Sequence, residues 1–141
     1  MSEKHVIHTE WKGDMSFEAD VNGHKVMMDT TPEGGGHDSG ASPKKLLLVA
    51  LSGCTGMDVI SILKKMHVDI EKCSIEVQGD VAQDHPKRYT AMHVIYKFTG
   101  KNLPMDKLEK AVRMSEDTYC GVEALFKLAI HVTSEIQITE M

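Results

Sequence analysis

The cysteines carry the most reactive side chains of this 141-residue chain, and they stand at Cys54, Cys73 and Cys120. Cys54 lies in the middle of an apolar segment that is predicted to be a helix, and Cys120 is predicted to open another helix. A cysteine at a helix N-terminus meets the positive end of the helix dipole and unpaired backbone N–H groups, which favour the thiolate. Cys54 and Cys120 are therefore either a redox-active pair or two small buried residues of the core.

Two further residues, Asp58 and Cys73, bear on the interpretation of these thiols. Asp58 follows Cys54 by one helical turn on the same face, where an ionised carboxylate would raise the pKa of the Cys54 thiol. Cys73 begins the alternating segment CSIEVQGDV, which is typical of a half-buried strand. One face of that predicted strand carries Cys73, Ile75, Val77 and Val81. We therefore expect Cys73 to lie in a sheet, outside any thiol pair.

Histidines and glycines could also form binding sites. The eight histidines contain no H-x₃-H or H-E-x-x-H motif, so surface histidines are the simpler interpretation. A zinc site that combines Cys54 or Cys120 with a histidine stays open as an alternative. The glycine-rich residues 31–43 lack the G-K-[ST] of a phosphate-binding loop. We expect this segment to be exposed and mobile, or ordered by a partner or ligand.

The composition is that of one acidic, soluble domain. The net charge is −5, with 41% hydrophobic and 26% charged residues, which excludes intrinsic disorder. The length predicts a single domain over residues 1–141. Arginine occurs only at Arg88 and Arg113, too few for a surface that neutralises phosphates, so no nucleic-acid partner is expected.

No segment is predicted to act as a secretory signal or membrane anchor. The first residues, MSEKHVIHTEWKGD, are charged throughout and lack the apolar core of a signal peptide. The most apolar stretch, residues 46–63, contains Asp58 and several small polar residues, which favours a buried helix over a membrane span. We expect a cytoplasmic protein whose cysteines are not in structural disulfides.

The predicted elements position these residues in an α+β fold without internal repeats. Strands flank an Asn22-Gly23 hairpin turn, and Ser42-Pro43 begins a long helix that runs to about Met66 and should be covered on most sides. The remaining elements are strands at 73–81 and 88–98, helices at 105–116 and 120–129, and a strand at 131–139. The 105–116 helix is expected to present Met105, Leu108, Val112 and Ser115 on one face.

Three segments together resemble the OsmC/Ohr superfamily and, within it, the YhfA-like branch. They are SPKKLLLVALSGCTGMDV at 42–59, HPKRYTAMHVIYKFTG at 85–100 and MSEDTYCGVEALF at 114–126. The resemblance covers nearly the whole chain and rests on a cysteine in a small-residue helix followed by an S-x-x-x-Y-C-x-V motif.

This resemblance implies a fold and a chemistry. Members are intertwined homodimers with antiparallel sheets packed on a long central helix and active sites at the subunit interface. Characterised members are thiol-dependent peroxidases. By resemblance, Cys54 attacks a small-molecule hydroperoxide and becomes a sulfenic acid, Cys120 condenses with it to a disulfide, and a dithiol reductant resets the pair. No metal or organic cofactor is implied.

The chain departs from the family peroxidases at two positions. The loop before the central helix has no arginine, and Lys45 stands where a glutamate is expected. Lys45 either reaches a cysteine across the dimer, as a substitute cation, or points to solvent. We expect the second, because Cys54 lies nine residues on and faces the other side of the helix. Lys45 and Asp58 are thus the predicted residues that tune the site, and peroxidase activity is expected to be weak.

Two other functions stay open. One is a catalytically inactive dimer of the same fold that binds a small apolar ligand at the subunit interface. The other is a dimer without catalytic activity, in which the cysteines serve only as buried core residues.

Overall fold

A computed structural model of the chain describes residues 3–141, and its elements form an α+β fold as predicted. The strands are β1 (His8–Gly13), β2 (Ser16–Val21), β3 (His24–Met28), β4 (Lys72–Val81), β5 (Tyr89–Gly100) and β6 (His131–Glu140). The helices are α1 (Leu46–Lys65), α2 (Met105–Met114) and α3 (Gly121–Lys127). The chain divides into two compact units, one that ends at Leu47 and one from Leu48 to Met141.

The first unit is an antiparallel meander in the order β1-β2-β3. The turn between β2 and β3 is Asn22-Gly23, and both residues have positive φ angles, 53° and 83°. These angles suit asparagine and glycine, and they match the right-handed twist of the paired strands. The Asp20 carboxylate accepts the Gly23 N–H at 2.9 Å. The predicted hairpin is confirmed.

Asp29 orders the glycine-rich segment that follows β3. This carboxylate is only 3% exposed and accepts hydrogen bonds from the backbone N–H groups of Thr30, His37 and Ser39 and from the Ser39 hydroxyl. The Ser39 hydroxyl, together with the backbone donors, lowers the pKa of Asp29. The expectation of a mobile segment, or one ordered by a partner or ligand, was wrong, because a buried side chain of the same chain organises it.

One face of α1 packs in the core of the second unit. Leu51, Val59 and Leu63 are essentially buried and share a hydrophobic cluster with Val94, Tyr96 and Phe98 of β5. The helix begins at Leu46, not at Pro43 as predicted. Residues 42–47 instead make hydrogen bonds between positions three apart, as in a tighter 3₁₀ turn.

The sheet of the second unit has the order β4-β5-β6. β4 pairs with β5 antiparallel, whereas β6 runs parallel to β5, so this sheet is mixed and not antiparallel as predicted. A parallel neighbour requires a long crossover, and α2 and α3 supply it. The alternation predicted for β4 holds from Cys73 to Val77. Val81 lies beyond a register shift at the end of β4 and is 46% exposed, so its predicted inward position was wrong.

The face of α1 that points away from this core is exposed to solvent in the single chain. Val49 is 60% and Met57 78% exposed, and no residue of 3–141 beyond the adjoining backbone of α1 comes within 4 Å of where a Gly53 side chain would begin. The single chain therefore leaves this face of the helix uncovered. Its length and mean hydropathy of 2.0 would also permit a membrane span, but the core helix of a soluble protein has the same properties, so this is a weak indication.

Candidate functional site

Cys54 lies in the third turn of α1 and is half-buried against the core cluster of the second unit. The small residues around it have separate roles. A Cβ at Gly56 would come within 2.8 Å of Cδ1 of Ile75, so Gly56 permits close packing of α1 on β4. Gly53, in contrast, has no other described element packed against the position of its missing side chain. One of the two helix glycines is thus explained by packing within the chain.

Cys120 caps α3, as predicted. After α2 the chain makes one π-helical turn, Ser115–Tyr119, and Cys120 then adopts an extended conformation. Its sulfur accepts the N–H of Glu123 at 3.3 Å, and its own N–H donates to the Ser115 carbonyl at 2.8 Å. Sulfur thus replaces the usual oxygen acceptor of an N-cap. The side chain is only 3% exposed.

The predicted preference of Cys120 for the thiolate is not realised. Burial raises the pKa of the Cys120 thiol, and the neighbouring Cys54 raises it further. The backbone N–H groups of Glu123 and Val122 lower it by a smaller amount. The helix N-terminus acts in the predicted direction, but desolvation of the charged form outweighs it.

The side chains of Cys54, Asp58 and Cys120 converge. The two sulfurs and a carboxylate oxygen all lie within 4.8 Å of one another. The Ser115 hydroxyl donates to Oδ2 of Asp58 at 3.0 Å and so holds the carboxylate. A disulfide needs its sulfurs about 2.05 Å apart, so a modest shift would join the two cysteines. The predicted proximity of Cys54 and Cys120 is confirmed.

The remaining cysteine and the histidines lie outside this group. Cys73 is half-buried in β4, where burial raises the pKa of its thiol, which confirms its predicted place in the sheet. Within residues 3–141, the one cluster suited to a metal ion contains Asp58 and no histidine. The zinc alternative with a histidine ligand therefore finds no support in the described part of the chain.

Lys45 precedes α1 and is exposed. Its ammonium makes no hydrogen bond or ion pair with any residue in the described range 3–141. Within the single chain it therefore behaves as the solvent-facing lysine that we expected.

A pair of glutamates near Cys120, half-buried Glu116 and buried Glu123, was missed by the sequence analysis. The Glu116 carboxylate accepts hydrogen bonds from the Tyr96 hydroxyl at 3.0 Å and from the Ser134 hydroxyl at 3.1 Å. Glu123 stands three residues after the capping Cys120. A cap residue followed three positions later by glutamate is a known N-terminal helix pattern, and it was the available signal.

Glu123 is the more deeply buried of the two glutamates. Its side chain is 1% exposed, and Oε2 has no hydrogen-bond partner among the described residues, although Lys127 Nζ lies 3.6 Å away. Burial and the nearby Glu116 raise the pKa of Glu123 to about 7. The ammonium of Lys127 acts in the opposite direction and does not cancel these effects.

A cleft of about 530 Å³ leads to Asp58. Ile62 and Met114 give it an apolar wall, while Lys65 and Lys110 add positive charge. A small molecule with an apolar body could enter this cleft and approach the cluster of Cys54, Asp58 and Cys120.

Comparisons with known proteins identify the fold and the family. The model of the family described as OsmC-like protein matches residues 36–135. Protein YhfA of Escherichia coli K12 is 27% identical over 130 residues, which cover 92% of this chain and 94% of that protein. The crystal structure of a hypothetical protein from Aquifex aeolicus VF5 superposes with a TM-score of 0.86 at 26% identity and covers 99% of both chains.

A more distant structure shares the fold alone. The organic hydroperoxide resistance protein OhrB of Bacillus subtilis is 14% identical and has a TM-score of 0.66 over 94% of this chain and 96% of that one. The family match spans the long helix, β4, β5, the first half of β6 and both converging cysteines. The chain is therefore a member of the OsmC-like protein family.

Proposed function

We propose that this protein is a thiol-dependent peroxidase that reduces organic hydroperoxides through a Cys54/Cys120 redox pair. The observation that carries the proposal is the approach of the two sulfurs to within 4.8 Å, with no third cysteine in the group. The family membership supports it, and OhrB of Bacillus subtilis, which shares the fold, is named an organic hydroperoxide resistance protein.

The reaction has three balanced steps. The Cys54 thiolate attacks one oxygen of ROOH, the O–O bond breaks, and the products are a Cys54 sulfenic acid and the alcohol ROH after one proton is taken up. The Cys120 sulfur then attacks the Cys54 sulfur, so that a disulfide forms and water leaves. A dithiol reductant finally reduces the disulfide by thiol–disulfide exchange and is itself oxidised to a disulfide.

The two cysteines suit different roles in these steps. Half-buried Cys54 is the more accessible sulfur, as the attacking thiol requires, whereas Cys120 is 3% exposed and suits the resolving step. The loop before α1 contains no arginine, and the Asp58 carboxyl group lies beside both sulfurs. Because no cation supports the thiolate within the described cluster, we expect weak turnover.

The active form is a cytoplasmic homodimer. Support comes from the open face of α1, where Val49 and Met57 are exposed and Gly53 leaves room for a close approach. An apolar helix face of this kind needs a partner surface to remove it from water. A second copy of the chain would cover this face.

Counting thiols before and after treatment with tert-butyl hydroperoxide tests the function. The wild type and Cys73→Ala should both lose two thiols per chain, and mass spectrometry should place a disulfide between Cys54 and Cys120. In Cys120→Ser, the sulfenic acid at Cys54 should persist and react with dimedone. Retention of all thiols in the wild type, or a large loss of rate in folded Cys73→Ala, contradicts the proposal.

The alternative is a catalytically inactive dimer that binds a small apolar ligand at the subunit interface. A groove on the open face of α1, lined by Gly56, Met57 and Ile60, favours it. Retention of all thiols after treatment with the hydroperoxide, together with saturable binding of an apolar fluorescent probe that Met57→Lys abolishes, would support this alternative.

A further inference from the structure

We infer that Cys54, Cys120 and Asp58 form a binding site for a thiophilic divalent metal ion, of which zinc is the reference case. The inference does not depend on the proposed peroxidase activity. It rests on three potential ligand atoms, contributed by α1 and by the N-cap of α3, that lie within 4.8 Å of one another.

The donor set and its spacing suit zinc. In a tetrahedral site, Zn–S bonds of about 2.3 Å and Zn–O bonds of about 2.1 Å place the ligand atoms about 3.6–3.8 Å apart. The ligand atoms, which lie within 4.8 Å of one another, would move closer together by at most about 1.2 Å to reach that spacing. Two thiolates with one carboxylate favour Zn²⁺ over Mg²⁺ or Ca²⁺, which prefer oxygen ligands alone. A fourth position is left for water or another small ligand.

Hydrogen-bond donors already hold two of the three ligands. Ser115 donates its hydroxyl to Oδ2 of Asp58 at 3.0 Å and so fixes the position of the carboxylate. The N–H of Glu123 points at the Cys120 sulfur at 3.3 Å. Partners of this kind orient metal ligands and are part of a functional metal site.

Charge also favours a cation at this position. Two thiolates and a carboxylate would bring three negative charges together, and no lysine, arginine or histidine of residues 3–141 forms an ion pair with Asp58. A dication bound by all three would offset that repulsion. Lys65 and Lys110 line the cleft that leads to Asp58, so the fourth ligand is expected to be neutral or anionic.

Binding releases protons in a fixed ratio. One Zn²⁺ that binds two thiols and an ionised carboxylate displaces two protons, with no change in the oxidation state of sulfur or metal. This stoichiometry separates the site from adventitious binding to surface histidines, which would displace fewer protons at neutral pH.

The test uses the full-length protein, reduced with a phosphine and freed of metal, and titrated with zinc chloride against a chromophoric chelator. We expect one zinc and two released protons per chain. Cys54→Ser and Asp58→Asn should each weaken binding at least about tenfold, and the matched control Cys73→Ser should leave it unchanged. Cobalt(II) should give thiolate-to-metal charge-transfer absorption in the wild type.

Alkylation of the wild type provides a readout that needs no variant. Bound zinc should protect Cys54, the half-buried thiol of the cluster, from iodoacetamide and leave the alkylation rate of Cys73 unchanged. The inference is overturned by a lack of saturable binding, by unchanged affinity in Cys54→Ser or Asp58→Asn, or by protection of Cys73. No hydroperoxide is present in this assay, so failure of the peroxidase proposal would leave its result unaffected.

Discussion

The hydroxyl of Ser115 donates a hydrogen bond to Oδ2 of Asp58 at 3.0 Å, across 57 positions of sequence. This contact joins α1 to the π-helical turn that precedes Cys120. It holds the Asp58 carboxylate within 4.8 Å of both sulfurs. Asp58 is therefore the charged group best placed to influence the two thiols.

Asp58→Asn should increase the reactivity of the thiols. At this separation, two negative charges repel by about 1–4 kcal/mol for a partly exposed site, so loss of the carboxylate should favour the thiolate. We expect alkylation of Cys54 in the metal-free protein to become at least about fivefold faster at neutral pH. Asp80→Asn removes an exposed carboxylate from β4 and serves as the control. Equal alkylation rates in the wild type and Asp58→Asn would show that the carboxylate does not act on the thiols.

Glu123→Gln should change the pH dependence of stability. The pKa of Glu123 rises from 4.5 to about 7 on folding, so the folded state binds the proton more tightly than the unfolded state. The preference of the folded state for protonated Glu123 contributes to the free energy of unfolding. This contribution is fully present below about pH 4.5 and is lost as the pH rises through about 7. Above about pH 8, the glutamine variant should be more stable than the wild type by on the order of 2 kcal/mol.

Urea unfolding at one protein concentration measures this effect. Glu123→Gln and the wild type should have similar stability near pH 4.5 and diverge as the pH rises. Glu109→Gln changes an exposed glutamate of α2 and should follow the wild type throughout. Parallel stability profiles for Glu123→Gln and the wild type would mean that Glu123 does not titrate near neutrality.

Met57→Lys should dissociate the homodimer. Met57 is 78% exposed in the chain and lies on the open face of α1, so a charge there would be buried at the proposed interface without a partner. Light scattering at micromolar concentration should give a dimeric mass for the wild type and a monomeric mass for the variant. Leu125→Lys, a matched change on α3, should stay dimeric. A monomeric wild type would disprove the dimer itself.

Lys45→Met should have little effect on the thiols. The ammonium is exposed and has no partner among residues 3–141, so its removal should leave the hydroperoxide rate and the alkylation rate of Cys54 nearly unchanged. Loss of a positive charge beside a helix N-terminus should stabilise the fold by about 0.3–1 kcal/mol. Lys72→Met in β4 controls for the loss of charge. A tenfold slower alkylation of Cys54 in Lys45→Met would mean that the lysine supports the thiolate.

Local sequence patterns predicted much of the fold. The Asn22-Gly23 turn, the last strand and the position of Cys120 at the start of a helix all depend on residues within a few positions of one another, and all were confirmed. The parallel pairing of β6 with β5 was not predicted, because strand direction depends on how the α2–α3 crossover packs. The start of α1 was placed three residues early because the first turn is 3₁₀ and not α-helical.

The order of the elements and the presence of two spaced cysteines in family-like motifs were determined by the sequence alone, since both follow from local periodicity and residue type. Tertiary packing brings Cys54, Asp58 and Cys120 together, places the Ser115 hydroxyl on the Asp58 carboxylate, and buries Glu123 beside Glu116. It also reversed the expected direction of the Cys120 pKa shift. Desolvation and contacts between distant residues arise from packing, and no local pattern along the chain encodes them.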